Sequence, residues 1–160
     1  MRKSLLIALT LLVTALGGGV ARASHYALVD VPHLVKPGEV DKLKKANVTT
    51  TEELLAKAAT AKDRKALAKT SGVSAADLLT LAKRCDLLRI KGVGSEMVLL
   101  MEAAGVKTTA DHAKMQAPKL MTAVTDANKT AKITEKPPTE PQLADWIEQA
   151  KKLPQVLELK

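Results

Sequence analysis

Side chains of the types needed for catalysis or metal binding are few in this 160-residue sequence, and they are widely spaced. The histidines His25, His33 and His112 lie far apart and lack the spacing of metal ligands. Asp111 directly precedes His112, but adjacent side chains diverge on a helix, and His112 is predicted to be a partly exposed surface residue. The sequence has no Gly-x-Ser-x-Gly motif, no phosphate-binding loop and no supported Cys-His pair. These features predict a protein that is not an enzyme and has no cofactor and no metal site.

The sulfur-containing side chains have a structural explanation. Cys85 is the single cysteine, so no disulfide can form within the chain. It falls in line with Leu78 and Leu81 on the apolar face of a predicted helix, which favours a buried residue, with a reactive thiol or a mixed dimer as the alternatives. Met97 and Met101 share one helix face, and filling an aromatic-poor core explains them better than copper transport does.

A glycine-flanked reversal within residues 87–100 is the most informative stretch of the sequence. An apolar helix leads into Gly92-Val93-Gly94, and a second apolar helix begins directly afterwards. The two glycines suit backbone angles that a Cβ would forbid, and Val93 is expected to fill the core between the helices. Ser95 is predicted to be the N-cap of the second helix. The stretch therefore predicts a tight helical hairpin.

This pattern resembles the hairpin of the helix-hairpin-helix superfamily, whose signature is an aliphatic residue, any residue, then Gly-aliphatic-Gly between two helices. In members that bind nucleic acid, amides of the hairpin and of the next helix start bind backbone phosphates, which the helix dipole also favours. The resemblance implies sequence-independent, salt-sensitive binding of DNA. The residues that it places at such a site are Lys83, Arg84, Arg89, Lys91, Gly92, Val93, Gly94 and Ser95.

Two features of the sequence argue against phosphate binding. Glu96 lies in the first turn of the second helix, where its charge would repel a phosphate. An earlier, degenerate hairpin has Pro37 where an amide donor would be needed, and proline has none. At most one hairpin is therefore expected to be competent, whereas duplex-binding members of the superfamily often use two.

The N-terminus has the pattern of a secretory signal peptide. A short basic start is followed by an apolar run, three glycines and small residues, and cleavage is expected after Ala23. The apolar run is shorter than the ~20 residues that span a bilayer, which disfavours a membrane anchor, and no further span is expected after cleavage. We therefore expect a periplasmic or secreted protein.

The charge of the chain is basic and uneven. The formal net charge is +8, and it falls to +5 without residues 1–23, which contain three basic and no acidic residues. The surplus lies within residues 24–91, which hold 13 basic and 8 acidic residues. A basic surface favours anionic partners such as nucleic acid, anionic lipid headgroups or acidic glycans, and a solvated lysine-rich surface is the alternative.

Apolar periodicity and capping residues predict an all-α fold of about eight short helices behind an extended N-terminal arm. The predicted helices are 39–46, 51–59, 62–69, 75–88, 95–104, 109–115, 118–128 and 142–153. The predicted divisions are a signal peptide (1–23), the arm (24–37), a first helical unit (38–89), a second unit (90–153) with a proline-containing linker (133–141), and a C-terminal tail (154–160). The predicted core is Val40, Leu43, Leu54, Leu55, Leu67, Leu78, Leu81, Cys85, Leu88, Val93, Val98, Met101, Val106, Leu120, Val124, Leu143, Trp146 and Ile147.

The two helical units are predicted to be degenerate copies of each other. Residues 46–51 are similar to residues 104–109, and the apolar residues of the last predicted helix match those of 75–88. Tandem units, the Gly-Val-Gly hairpin and the Ala-Gly-Val-x-Thr turn make the chain resemble the bacterial family of unknown function numbered 4332. The resemblance covers roughly residues 35–152 and implies a fold without an established activity.

The function that the sequence favours is a non-catalytic, exported helical binding or scaffold module. A protein of the cell envelope is the expected partner. The alternative is binding to the DNA backbone through the Gly92-Val93-Gly94 hairpin, as in exported receptors for competence. The oligomeric state stays open.

Overall fold

Residues 25–160 of the chain are described by a computed structural model, and within this range the fold is all-α, as predicted. The predicted signal peptide lies outside the described residues. None of the helices within 25–160 has the length and apolarity needed to cross a membrane. The helices are α1 (Pro37–Lys45), α2 (Thr51–Lys57), α3 (Ala61–Ser71), α4 (Ala75–Leu87), α5 (Ser95–Ala103), α6 (Thr109–His112), α7 (Ala117–Ala131) and α8 (Glu140–Lys152).

Side-chain caps explain where most of these helices begin. The hydroxyl of Thr50 accepts a hydrogen bond from the amide of Glu53, and Ser74 caps α4 in the same way. Thr139 and Gln142 form the expected capping box at α8. That helix begins inside the predicted linker because Pro141 fits its first turn, where no amide donor is needed. α6 is shorter than predicted and ends at His112.

The same pattern of helix contacts occurs in the first half (α1–α4) and the second half (α5–α8). In each half, the first helix packs on the third, and both the second and third pack on the fourth. The turn after the first helix also repeats, since Asn47 and Gly105 both have a positive φ. The amide that follows bonds back to the preceding helix in both halves, from Val48 at 3.0 Å and from Val106 at 2.8 Å.

The N-terminal arm docks on the first half, and part of it forms a helical turn where the sequence predicts an extended segment. Its residues Leu28–Asp30 form a short 3-10 turn. The amide of Leu28 donates to the Thr49 carbonyl at 2.8 Å, and the carbonyl of Tyr26 accepts from the Thr51 amide at 2.9 Å. These bonds hold the arm against the start of α2.

The core contains the predicted apolar side chains, and Val40 is the exception because it is only partly buried. The prediction omitted several residues that pack into the same core. They come from the arm, from the turns and from the tail: Leu28, Val31, Leu34, Val35, Val48, Val73, Ile90 and Leu157. These residues lie outside the periodic helices, so periodicity gives no indication of their burial.

Candidate functional site

The hairpin, residues 88–94, connects α4 to α5 through a turn whose apolar side chains are buried, while Lys91 and Gly92 are exposed. Val93 is 1% exposed and fills the core, as expected, and its amide donates to the carbonyl of Ile90 at 3.1 Å. Gly92 has a φ of +92°, which favours glycine. Gly94 has an extended backbone and is the N-cap of α5. The prediction that Ser95 is the N-cap is therefore wrong: Ser95 is the first residue of the helix, because the chain enters α5 one residue earlier.

One face of the hairpin is covered by α8. The backbone of Lys91 pairs with the amide side chain of Gln149, with its N–H donating at 2.9 Å and its carbonyl accepting at 3.2 Å. A Cβ on Gly92 would lie 3.0 Å from Nε1 of Trp146, which is tighter than ordinary contacts. The amides of Lys91 and Val93 are therefore engaged within the protein. Gln149 was not predicted as a hairpin partner, because it is a polar residue and is not part of the apolar pattern from which the contacts of α8 were inferred.

Both arginines predicted to bind phosphate make contacts within the chain. Nε of Arg84 lies 2.9 Å from a carboxylate oxygen of Glu102, and its Nη1 donates to the carbonyl of Leu34 at 2.8 Å. Arg89 donates to Asp86 at 2.7 Å and to the carbonyl of Pro154 at 3.0 Å. These guanidinium groups bind α5, the arm and the tail to the region around α4.

The remaining predicted residues do not form a basic cleft at the start of α5. Lys83 is half-buried on α4, and Lys91 is exposed on the hairpin. The surface depression at the start of α5, of about 510 Å³, is lined by Gly94 and Ser95 but also by the acidic residues Asp30 and Glu96. Because two carboxylates border the helix N-terminus, a phosphate placed there would be repelled.

Asp86 forms a buried polar connection that the sequence did not reveal. It is 2% exposed, although it follows Cys85 in an apolar helix. Its Oδ2 accepts from both the amide and the hydroxyl of Thr109 at 2.8 Å, while Oδ1 pairs with Arg89. A single carboxylate thus binds the first residue of α6, beside the N-cap Thr108, and connects this helix to the end of α4. Because Thr109 lies 23 residues further along the chain, local spacing cannot predict this contact.

The side chains of Cys85 and His112 are both titratable and both buried. Burial raises the pKa of the Cys85 thiol to about 12, an effect that Asp86 increases and Arg84 partly offsets. The prediction that Cys85 is buried is confirmed. His112 is 0% exposed, so the prediction of a surface residue is wrong. Its two ring nitrogens have no hydrogen-bond partner, and burial lowers its pKa to about 4.

The described part of the chain contains no group of three or more His, Cys, Asp or Glu side chains that could hold a metal ion. Around the hairpin, Arg84, Arg89 and the backbone of Lys91 have partners within the protein, and the Lys91 side chain is exposed.

Comparison with known proteins identifies a family for this chain. A family model described as a domain of unknown function, DUF4332, matches residues 34–153. No curated protein and no solved structure matches the chain.

Proposed function

The chain belongs to the DUF4332 family, and we propose that it is a non-catalytic helical module that binds a protein partner in the cell envelope. The observation that carries this proposal is the use of the hairpin's polar groups inside the protein. The side chains of Arg84 and Arg89 and the amides of Lys91 and Val93 all have internal partners. These groups stabilise the packing of the helices, and the donors named here are already used in hydrogen bonds within the protein.

DNA binding through the hairpin is the competing proposal, and one observation favours it. Lys91 is exposed, and it lies beside a helix start whose first amides lack partners within the helix. Asp30 and Glu96 at the same helix start oppose a phosphate. A backbone contact by one lysine would bind DNA weakly and with strong dependence on salt.

The location outside the inner membrane is part of the proposal and rests on the N-terminal sequence pattern. A basic start, an apolar run and small residues before Ser24 are typical of an exported precursor. Mass spectrometry of the protein from periplasmic and cytoplasmic fractions tests this part, and the proposal predicts a periplasmic or secreted chain that begins at Ser24.

Capture of the partner tests the central part of the proposal. The protein is cross-linked in the cells that produce it, the captured protein is identified, and the purified pair is titrated to saturation. We expect saturable binding that is unchanged in Lys91→Glu, because Lys91 serves here only as a surface residue. Failure of every captured protein to bind in the purified titration would contradict the proposal.

A further inference from the structure

The tail, residues 154–160, lies in a groove that is built from both halves of the protein. The amide of Glu158 donates to the carbonyl of Ala59 at 2.8 Å, and a carboxylate oxygen of Glu158 accepts from the amide of Ala61 at 3.3 Å. Arg89 holds the carbonyl of Pro154. Leu157 is 4% exposed and lies next to the start of α6. We call this surface, between the α2–α3 corner, the end of α4 and the start of α6, the tail groove.

A buried arginine marks one end of the tail groove. Arg64 is 4% exposed, and its guanidinium donates to the main-chain oxygens of Ala58, Ala59 and Lys160 at 3.0, 3.1 and 3.5 Å. Arg64 is the fourth residue of α3, and the fourth residue of α7 in the second half is the fully buried Leu120. The first half therefore carries a costly buried cation where its counterpart carries leucine, and the cation binds main-chain oxygens of the turn between α2 and α3 and of the tail.

The tail fills this groove incompletely. A cavity of about 300 Å³ lies beside Val156, and its other walls include Leu55, Cys85 and Arg89. Val156 itself is 40% exposed. Missing contact between a side chain and its surroundings forfeits dispersion energy, so a larger apolar side chain at this position would bind more tightly. Leu157 is the single fully covered side chain among residues 154–160, which leaves the tail with one apolar anchor.

We propose that the tail groove is the site where this chain binds its protein partner, and that its own tail occupies the groove until the partner displaces it. The partner supplies an extended segment whose side chains correspond to those that the tail places in the groove. It places a large apolar side chain in the cavity beside Val156, an aliphatic side chain at the position of Leu157, and a carboxylate at the amide of Ala61. Arg64 and Arg89 bind its backbone carbonyls. The inference rests on the proposed function and names the surface and the partner chemistry for it.

A peptide titration tests this proposal on the full chain. The probe is a fluorescent peptide of residues 154–160 that carries Val156→Phe, and its anisotropy reports binding. We expect the Leu157→Asp chain to bind this probe at least about tenfold more tightly than the wild-type chain, because a charge at the buried anchor releases the resident tail. Val29→Asp is the matched control, since it adds the same charge at a side chain that is 67% exposed on the arm. The control chain is expected to bind as the wild type does.

The outcomes separate this inference from the proposed function. Equal or absent binding by the Leu157→Asp and Val29→Asp chains would overturn the groove assignment, and a partner captured independently would leave the proposed function standing. A wild-type dimer that forms with concentration and is lost in Leu157→Asp would assign the groove to the tail of a second copy, and the proposal would fall. If circular dichroism shows that Leu157→Asp is unfolded, Glu158→Lys replaces it, because that side chain bonds only the exposed amide of Ala61. The same tighter binding is then required.

Discussion

At the scale of single residues, the two glycines of the hairpin have different roles. Gly92 needs a positive φ, and a Cβ there would lie only 3.0 Å from Trp146, whereas Gly94 is extended and has open space around it. We expect Gly92→Ala to lower the free energy of unfolding by about 1–3 kcal/mol. Gly94→Ala is expected to change it by less than about 0.5 kcal/mol. Urea denaturation of the two variants measures both values, and equal losses would contradict the geometry described for the hairpin.

His112 predicts a dependence of stability on pH. Its pKa in the folded protein is about 4, below its ordinary value of 6.5, so the unfolded chain binds a proton more readily. Stability is therefore expected to fall as the pH decreases from about 6.5 to about 4, by up to about 3 kcal/mol from this residue alone.

The variant His112→Leu isolates this contribution. The two proteins share every other ionisable group, so the difference between their stability curves reports His112. We expect the variant to lose less stability on acidification, measured by denaturation at a series of pH values. Parallel curves for the two proteins would show that His112 is not buried in its neutral form.

At the scale of helices, Asp86 connects the end of α4 to the start of α6. Asp86→Ala removes the hydrogen-bond acceptor of Thr109 and leaves the half-buried Arg89 without its carboxylate. Removing one partner of a buried pair costs about 3–5 kcal/mol, and faster hydrogen exchange is expected in α6. Asp77→Ala is the control, because Asp77 is exposed and its side chain bonds only to Ser74 in the same helix. Similar losses in the two variants would contradict the role assigned to Asp86.

The helices themselves were largely predictable because the information for them is local. Thr50, Ser74 and Thr139 cap helices where the sequence places them, and the apolar residues of α4 and α8 are buried as their spacing requires. The contacts made by Asp86 and Gln149 were not predictable, because each joins residues more than 20 positions apart. The burial of His112 was not predictable for a different reason, since a four-residue helix has no periodicity from which to infer its buried face.

At the scale of the whole molecule, two arrays of four helices share one pattern of contacts, and segments outside the helices connect them. The arm supplies Leu28 and Leu34 to the core, and the tail supplies Leu157. Arg84 bonds to the arm and Arg89 to the tail, so residues that resemble a phosphate site hold the molecule together. The sequence located the turn between α4 and α5, but the carbonyls that Arg84 and Arg89 bind, those of Leu34 and Pro154, lie 50 and 65 positions away. Only the folded structure brings them near.

The most direct measurement is the fluorescence anisotropy of labelled duplex DNA titrated with residues 24–160, at ~50 mM and ~200 mM salt. Wild type and Lys91→Glu are measured side by side, since Lys91 is exposed and its replacement leaves the hairpin intact. If the hairpin serves internal packing, neither protein shows saturable binding at the lower salt concentration. Saturable binding that weakens with salt and with Lys91→Glu would contradict the account and make the DNA backbone the ligand of this protein.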